Sequence, residues 1–543
     1  MDQAGRGPAE SGRRRWVGLF FVALGVALII VDATIVNVAV PSIIRDLGIT
    51  STDAQWVQEA YTLVFAALLL TAGRLADRWG RRALFEVGVV VFMVSSILAA
   101  RSGTGNELIM ARVAQGVGGA MMLPTSLSII NAGFRGRSRA IAFAVWGSTI
   151  GGTAALGPLL GGWLTTSYSW RWAFGINVPL GLVVLVGTWL AVDESRGDDP
   201  SPGVDVGGAL LSIVGFGAIV FGLIEGRTYG WWSREKPFSI LHRPWQWQLS
   251  PIPVAFAVGV LALLAFVGLE RRRNRAGKVV LLDLGLFSIP SFRGGNIAAG
   301  IVSLGEFGLL FSLPLWFQNV RGYTAFETGL ALLPLAVGSF VASGFGGQLA
   351  LRRGAPYVVR LGILLEVIGV AGIGVVVSPS TPWTLTSPLL FVYGMGVGLA
   401  TAQLTGVVLT DVPVVKSGQG SGTTSTTRQL GSALGIAILG TVLFTSLGLS
   451  LDRALARQGQ LSADQRRQVV AAVRDSAGAA IGGLAADPRT ESVAEDARTA
   501  FSHATRNAAW AAAGFLLLGL YASRGLGSPT TRAEAAEEVA ARP

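Results

Sequence analysis

The sequence predicts an all-α membrane protein of about fourteen transmembrane helices. Three observations predict it. Only 14% of the 543 residues are charged, against roughly 25% in soluble chains. Apolar runs recur from end to end, each near the ~20 residues that cross a bilayer. Basic residues collect in alternate loops, as topology demands of a polytopic chain. The mean hydropathy of +0.55 and the 73 glycines agree, since Gly is commoner in membrane helices.

The runs begin near Trp16, Ala54, Ala83, Asn106, Ala140, Phe174, Val206, Pro253, Phe292, Thr328, Tyr357, Ser387, Arg428 and Asn507. The first follows Arg13, Arg14 and Arg15, as a signal peptide would. It is long and lacks a small-residue cleavage site, so it reads as an uncleaved span. A Trp-rich polar segment, Trp231 to Trp247, separates the seventh run from the eighth, and the fourteenth is short.

An even count puts both termini on one side, and the arginines say which. One set of loops holds Arg13 to Arg15, then Arg74, Arg78, Arg81 and Arg82, then Arg135, Arg137 and Arg139. It continues with Arg271, Arg272, Arg273, Arg275 and Lys278, then Arg352 and Arg353. The alternate short loops hold little beyond Arg45, Arg101, Arg171 and Arg321. Both termini are therefore expected in the cytoplasm, around a multi-pass chain in the cytoplasmic membrane. Two segments run against this: Asp193 to Asp205 is acidic, and the Trp-rich loop carries Arg227, Arg234, Lys236 and Arg243.

The expected organisation is a tail (1–15), a six-helix bundle (16–192), a cytoplasmic linker (193–205) and two inserted helices (206–270). A basic linker (271–291), a second six-helix bundle (292–526) and a tail (527–543) follow. Residues 449–506 form a long external loop, in which Ser462 and Gln465 make a capping box before a short amphipathic helix through Val469, Val470 and Val473. The halves carry a repeat. "GRLADRWGRR" (Gly73 to Arg82) and "GQLALRRGA" (Gly347 to Ala355) share Gly, Leu, Ala, Arg and Gly at the same offsets, with Asp77 replaced by Leu351. Repeated halves are how many secondary transporters are built.

Several chemistries are excluded. There is no cysteine, so thiolate chemistry has no residue; the only histidines, His242 and His503, lie far apart in polar stretches, which speaks against a His triad or His-metal site. The net charge of +11 is spread between apolar runs, which speaks for topology rather than nucleic acid. "GMGVG" (Gly394 to Gly398) lies inside an apolar run with no preceding strand, so it is no phosphate loop. No Walker A sequence occurs. Neither enzyme activity nor a cofactor is expected.

The candidate site residues are the polar ones within spans. A charge at the bilayer centre costs at least ~2.5–3.5 kcal/mol, and Asp32 sits in the run "IIVDATIVNVAVP". At 1.5 Å per residue, Asp32 lies roughly 24 Å along the first span and Arg112 roughly 9 Å below the opposite, outer end of the fourth. Their depths match, so the two should face each other or water. Asp32 then reads as a proton-linked carboxylate; a static salt bridge or a snorkelling helix-end residue is the alternative. Glu306, with no basic neighbour in sequence, is a second candidate for a proton or cation. Glu225, ending the seventh span, and Glu59, starting the second, are further candidates, for which interface placement is an equal alternative. Glu86 and Glu366 read as structural, and Arg428 and Asp411 as inner-surface residues. Asn37, Gln58, Tyr61, Gln115, Trp146, Phe307, Phe311, Gln318, Tyr393 and Gln403 are the polar and aromatic set for a bulky or cationic substrate. Helix packing explains any single one of them equally well.

In "GRLADRWGRR", Gly73 and Gly80 allow tight turns, and Asp77 can pair with Arg78 or Arg81 or cap a helix, making a latch. The alternative is arginines that only set topology. In "GSTIGGTAALGPLLGG" (Gly147 to Gly162), Gly147 and Gly151, and Gly157 and Gly161, stand four apart. That spacing lets helices approach closely, and Pro158 adds a kink site.

These motifs resemble those of a known family. "GRLADRWGRR" is similar to the signature loop of the major facilitator superfamily. "LIMARVAQGVGGAMMLP", with Arg112, resembles its fourth-helix motif, and "GSTIGGTAALGPLLGG" its fifth-helix antiporter motif. "VDATIVNVAVP" and "WRWAFGINVPLG" (Trp170 to Gly181) are similar to hallmarks of the EmrB/QacA-type branch of drug:proton antiporters. The resemblance implies the major facilitator fold, two six-helix pseudo-repeat bundles plus two inserted helices. It implies a small-molecule substrate, protons as the driving ion, and alternating access. It makes the fifth-helix motif a tight interface near the outside that limits leak. Analogy implies a monomer in the lipid bilayer. The rival on the same fold exports an endogenous metabolite, such as a self-made antibiotic, a siderophore or a lipid precursor. The rival of another class is a non-transporting receptor or scaffold.

Overall fold

The computed structural model describes residues 8–134, 136–196, 205–240, 243–278, 280–412 and 417–526. Its helices are α1 (Pro8–Leu47), α2 (Ser51–Trp79), α3 (Arg81–Arg101), α4 (Gly105–Gly133), α5 (Gly136–Ser167), α6 (Arg171–Gly175), α7 (Asn177–Ala191), α8 (Val206–Tyr229) and α9 (Pro251–Arg275). There follow α10 (Pro290–Asn319), α11 (Ala325–Arg353), α12 (Ala355–Val376), α13 (Trp383–Leu409), α14 (Ser417–Gln458), α15 (Ala463–Asp475), α16 (Ala480–Ala486) and α17 (Glu491–Ala522). Eleven helical stretches among the described residues, with α6 and α7 counted as one, are long and apolar enough to cross a membrane. Three more long helices, α2, α5 and α17, pack among them, and bring the bundle to about fourteen. The expected all-α fold is therefore present.

Burial sorts the helices. The most apolar windows of α1 and α10 are each 72% buried, those of α8 and α9 only 33% and 22%. So α1 and α10 run through the bundle, while the inserted pair α8–α9 lines its edge. Side chains such as Phe20, Leu98, Met110, Leu264 and Leu518 are exposed, as a lipid-facing belt must be.

Helix punctuation repeats between the halves. Both α2 and α11 open on a capping box, Thr50 with Asp53 and Thr324 with Glu327. Both end on a glycine of positive φ, Gly80 (120°) and Gly354 (85°), where any side chain would be strained. Gly73 departs from expectation. It lies inside α2, where an added Cβ would make ordinary contact with Pro124 at 3.5 Å, so it forms no turn. The "GMGVG" glycines serve packing: Gly394 and Gly398 face the α11 backbone, and Gly396 that of Glu366 in α12.

The segment 449–506 is not a loop. α14 runs 42 residues to Gln458, α15 opens on the expected Ser462–Gln465 capping box, and α17 begins at Glu491 and runs 32 residues. The last span is thus long; its polar opening turns hid it. Leu451, Leu455 and Val473 are buried between these helices, and α15 packs on the end of α14 while α16 packs on α17, so the two form a collar there.

Both charge exceptions find partners. Glu194 accepts from the backbone N–H groups of Arg82 (3.0 Å) and Ala83 (2.9 Å) at the start of α3. Asp193 pairs with Arg14 at 2.9 Å. The described start of the acidic segment, Asp193 and Glu194, therefore sits on the face that carries the arginines, here termed the basic face. In the Trp-rich segment a two-stranded ribbon, β1 (Ser239–Ile240) with β2 (Arg243–Pro244), is flanked by Tyr229, Phe238, Trp245 and Trp247 in edge-to-face contact. Arg234 donates to the Trp245 carbonyl, so it is held as a structural donor on the far face.

Candidate functional site

Asp32 of α1 and Arg112 of α4 form a fully buried ion pair, Nη1 to Oδ2 at 2.5 Å. The depth argument placed them at one level, and the fold brings them together. Neutral donors complete the carboxylate: Oδ1 accepts from Gln115 Nε2 (3.1 Å) and Asn177 Nδ2 (2.8 Å). Both amides also donate to Ser96 Oγ, at 2.8 and 3.1 Å. Arg112 donates further to the Val57 carbonyl (3.0 Å) and to Gln115 Oε1 (2.8 Å). Its carbon Cζ lies 4.2 Å from the centre of the Tyr61 ring. The cluster draws on α1, α2, α3, α4 and the α6–α7 break, where Asn177 begins α7. Three polar atoms of the cluster stay unmatched: Arg112 Nη2, Asn177 Oδ1 and the Tyr61 hydroxyl.

Ser96 and Asn177 were not singled out from sequence. Asn177 stands inside the quoted "WRWAFGINVPLG" run, and an Asn within an apolar span was the available signal.

The second half holds a different arrangement. Glu306 of α10 and Glu366 of α12 are buried and lie within electrostatic range of each other and of Arg428 in α14. Glu306 is thus not a lone carboxylate, and Glu366 is its neighbour rather than a residue apart. Neither Glu366 oxygen has a hydrogen bond, nor does Glu306 Oε2. Tyr393 donates to the Glu306 main-chain carbonyl at 3.4 Å. Arg428 is not at a surface turn: it lies within α14, half-buried, and reaches Thr401 at 3.3 Å. Asp411 does lie at a helix end, exposed, and accepts from Ser291 at 2.6 Å.

The substrate set does not converge on one wall. Gln58 donates to Asn37 (2.6 Å) beside the first half's cluster, and Tyr61 stacks on Phe65. Trp146 donates to Ser126 at 3.0 Å. Gln318 crosses between the halves to the Val38 carbonyl at 2.9 Å. Phe311 and Tyr393 are enclosed in the packing of the second half, Phe311 edge-on to Phe444. Phe307 and Gln403 are half-buried.

The fifth-helix motif works at close range. A Cβ on Gly157 or Gly161 would collide with Thr34 or Ile35 of α1. Between the halves the contact is reciprocal. A Cβ on Gly162 would lie 2.4 Å from the Ala325 carbonyl of α11, and one on Gly329 of α11 2.5 Å from that of Pro158. Phe326 N–H donates to Thr166 Oγ1 at 3.0 Å, and Gln55 of α2 to the Ile436 carbonyl of α14 at 3.3 Å. These contacts all lie toward the far face, so the two halves are sealed there. The surroundings of Gly147 and Gly151 lie outside the described residues. So does the side chain of Asp77. Of the expected latch, Arg78 is exposed and Gly80 makes the turn, while Glu194 caps α3.

Comparison with known proteins follows the same lines. The family model described as Major Facilitator Superfamily matches residues 22–213 and 205–436. A puromycin resistance protein of Streptomyces alboniger is 34% identical over 79% of this chain and 82% of its own. A tetracenomycin C resistance and export protein of Streptomyces glaucescens is 31% identical over 81% and 78%. The multidrug efflux pump LfrA of Mycolicibacterium smegmatis is 34% identical over 79% and 81%. Among solved structures, a bacterial homolog of the human lysosomal transporter Spinster, inward-facing and unoccupied, has a similar fold. Its TM-score is 0.62 at 17% identity, covering 97% of this chain and 100% of that one.

Proposed function

The chain belongs to the major facilitator superfamily, and within it we propose a proton-coupled exporter of amphipathic, drug-like or antibiotic compounds. The basic face is cytoplasmic in this reading, and both termini lie there; the arginine distribution supports it. The sealed far face is then the outside, and substrate is taken up from the cytoplasm. The halves rock to open the other way. No cofactor takes part.

The observation that carries the coupling is the buried Asp32–Arg112 pair. Arg stays protonated, so a proton that neutralises Asp32 leaves Arg112 with one acceptor fewer and an uncompensated buried charge. That favours repacking of α1 against α4, joined by the pair, and against α7, joined through Asn177. In the second half, Glu306 beside Glu366 can exchange a proton without breaking any hydrogen bond to Glu306 Oε2. The membrane potential supplies ~2.3 kcal/mol per charge per 100 mV, enough for a steep substrate gradient. The relatives named for resistance to, or export of, antibiotics support the cargo class.

The test is dye efflux from loaded cells expressing wild type or Asp32→Asn, with a proton-gradient collapser added midway. Wild type should extrude dye and stop on collapse, and the mutant should not start. Efflux that continues through collapse sinks the proton coupling.

A second reading keeps the fold and narrows the cargo to one compound. Relatives named for puromycin, tetracenomycin C and methylenomycin A favour it. A substrate screen in which a single compound is exported would select it.

A further inference from the structure

Glu59 stands in α2, one turn on from Gln55. It is fully buried, and neither carboxylate oxygen has a hydrogen bond. Its carboxyl lies against the main-chain N–H of Ala437 in α14. The α2–α14 seam around it is close. Gln55 donates to the Ile436 carbonyl, and a Cβ on Gly440 would meet the Gln55 amide at 2.1 Å. α2 belongs to the first half and α14 to the second, so this enclosure exists only while the far-face seam is shut.

The charged groups on the surrounding elements are engaged elsewhere. Arg227 of α8 donates to Gln55 (2.7 Å) and lies over the Phe444 ring, and Glu225 accepts from Trp56 (3.0 Å). Asp32 of α1 and Arg112 of α4 hold each other. Asp53 of α2 bonds to Thr50, and Arg474 of α15 pairs with Asp475. Arg428 of α14 reaches Thr401. The charged residues of α3 stand at its ends: Arg81, Arg82 and Glu86 at one, Arg101 at the other.

An ionised carboxylate buried without a counter-charge, with only one main-chain N–H against it, is heavily disfavoured. Glu59 fits the shut seam as the neutral acid and fits an open, hydrated seam as the anion. We propose that Glu59 is a gate carboxyl: it takes a proton from the far-face solution as the seam closes and returns it to the same side when the seam opens. This proton is occluded but not carried across. It makes closure depend on external pH, separately from the Asp32 and Glu306 sites. The proposal rests on the alternating-access reading above.

The chain has no cysteine, so a single introduced thiol reports cleanly. Ala437→Cys would be labelled from outside by a membrane-impermeant maleimide in intact cells. The rate is normalised to Gln460→Cys, which sits at an exposed position of the collar and corrects for thiol ionisation. One linked proton permits up to about a hundredfold change over two pH units. The expected normalised rate falls at least about tenfold between external pH of about 8 and about 6. In Glu59→Gln and in Glu59→Met, which mimic or replace the neutral acid, it should be slow and flat with pH. Labelling that varies with conformation but keeps its pH dependence in both variants overturns the gate and leaves alternating access standing. A seam that never labels, at any pH, overturns both. An Asp32→Asn protein that loses export yet keeps pH-dependent labelling upholds the gate as a device separate from coupling.

Discussion

Asp32 and Glu366 are both fully buried carboxyls in helices of one bundle, and they are treated oppositely. Every Asp32 oxygen is answered, by Arg112, Gln115 and Asn177. Neither Glu366 oxygen is, and its Glu306 neighbour keeps one oxygen unmatched. A satisfied ion pair is costly to break from either side, so in the proposed reading a proton on Asp32 forces the helices it joins to repack. A donor-free pair of acids has no hydrogen bonds to give up at those oxygens, so in the same reading a proton can come and go in the second half with less rearrangement.

Removing one partner of the satisfied pair should have the largest effect. Arg112→Ala leaves Asp32 charged without its counter-ion, at a cost of about 3–5 kcal/mol. The melting midpoint in detergent should fall sharply and export should cease. Arg428→Ala, on a half-buried arginine that donates to Thr401, should cost clearly less. Equal losses would break the contrast between the halves. Pairing Arg112→Ala with Asp32→Asn should recover most of the stability and none of the export.

Next in size is Asn177→Ala. It removes a donor to a carboxylate, worth about 1.5–3 kcal/mol, along with the link to Ser96. A melting midpoint unchanged from wild type would show that Arg112 and Gln115 suffice for Asp32. Glu366→Gln should be smaller still in stability, within about 1 kcal/mol of wild type, since it leaves no partner behind. Its effect should appear instead as weaker dependence of efflux on the proton gradient. A strong destabilisation would mean that Glu366 has a partner when the protein sits in lipid. The smallest expected effect separates two substitutions at Tyr61. Tyr61→Phe keeps the ring over Arg112 and should be nearly silent. Tyr61→Leu loses a cation–π contact of about 0.5–2 kcal/mol, and melting curves of the two side by side would measure it.

Much of the architecture was legible because membrane helices announce themselves by length and apolarity. The Asp32–Arg112 pair was legible too, since rise per residue converts sequence position into depth. What stayed hidden has physical reasons. Asn177 and Ser96 are small polar residues in apolar runs, where they look like packing. Glu306 and Glu366 are sixty residues apart, and only tertiary folding makes them neighbours. Glu194 capping α3 joins residues more than a hundred apart, so the loop looked merely acidic. The first turns of α17 are polar because they stand clear of lipid, and an apolar-run count starts too late. Gly73 read as a turn because it shares a motif with Gly80, yet only Gly80 has the backbone that needs glycine.

The length of α14 has a mechanical consequence. Its 42 residues make a rod of about 63 Å at 1.5 Å per residue, about twice the ~30 Å hydrocarbon core. Leu451, Leu455 and Val473 clamp the collar to its tip. Any tilt of the second half is therefore magnified at that tip, as the end of a pointer sweeps further than its pivot. An antibody fragment or a dye on α15 would read that tilt from the water.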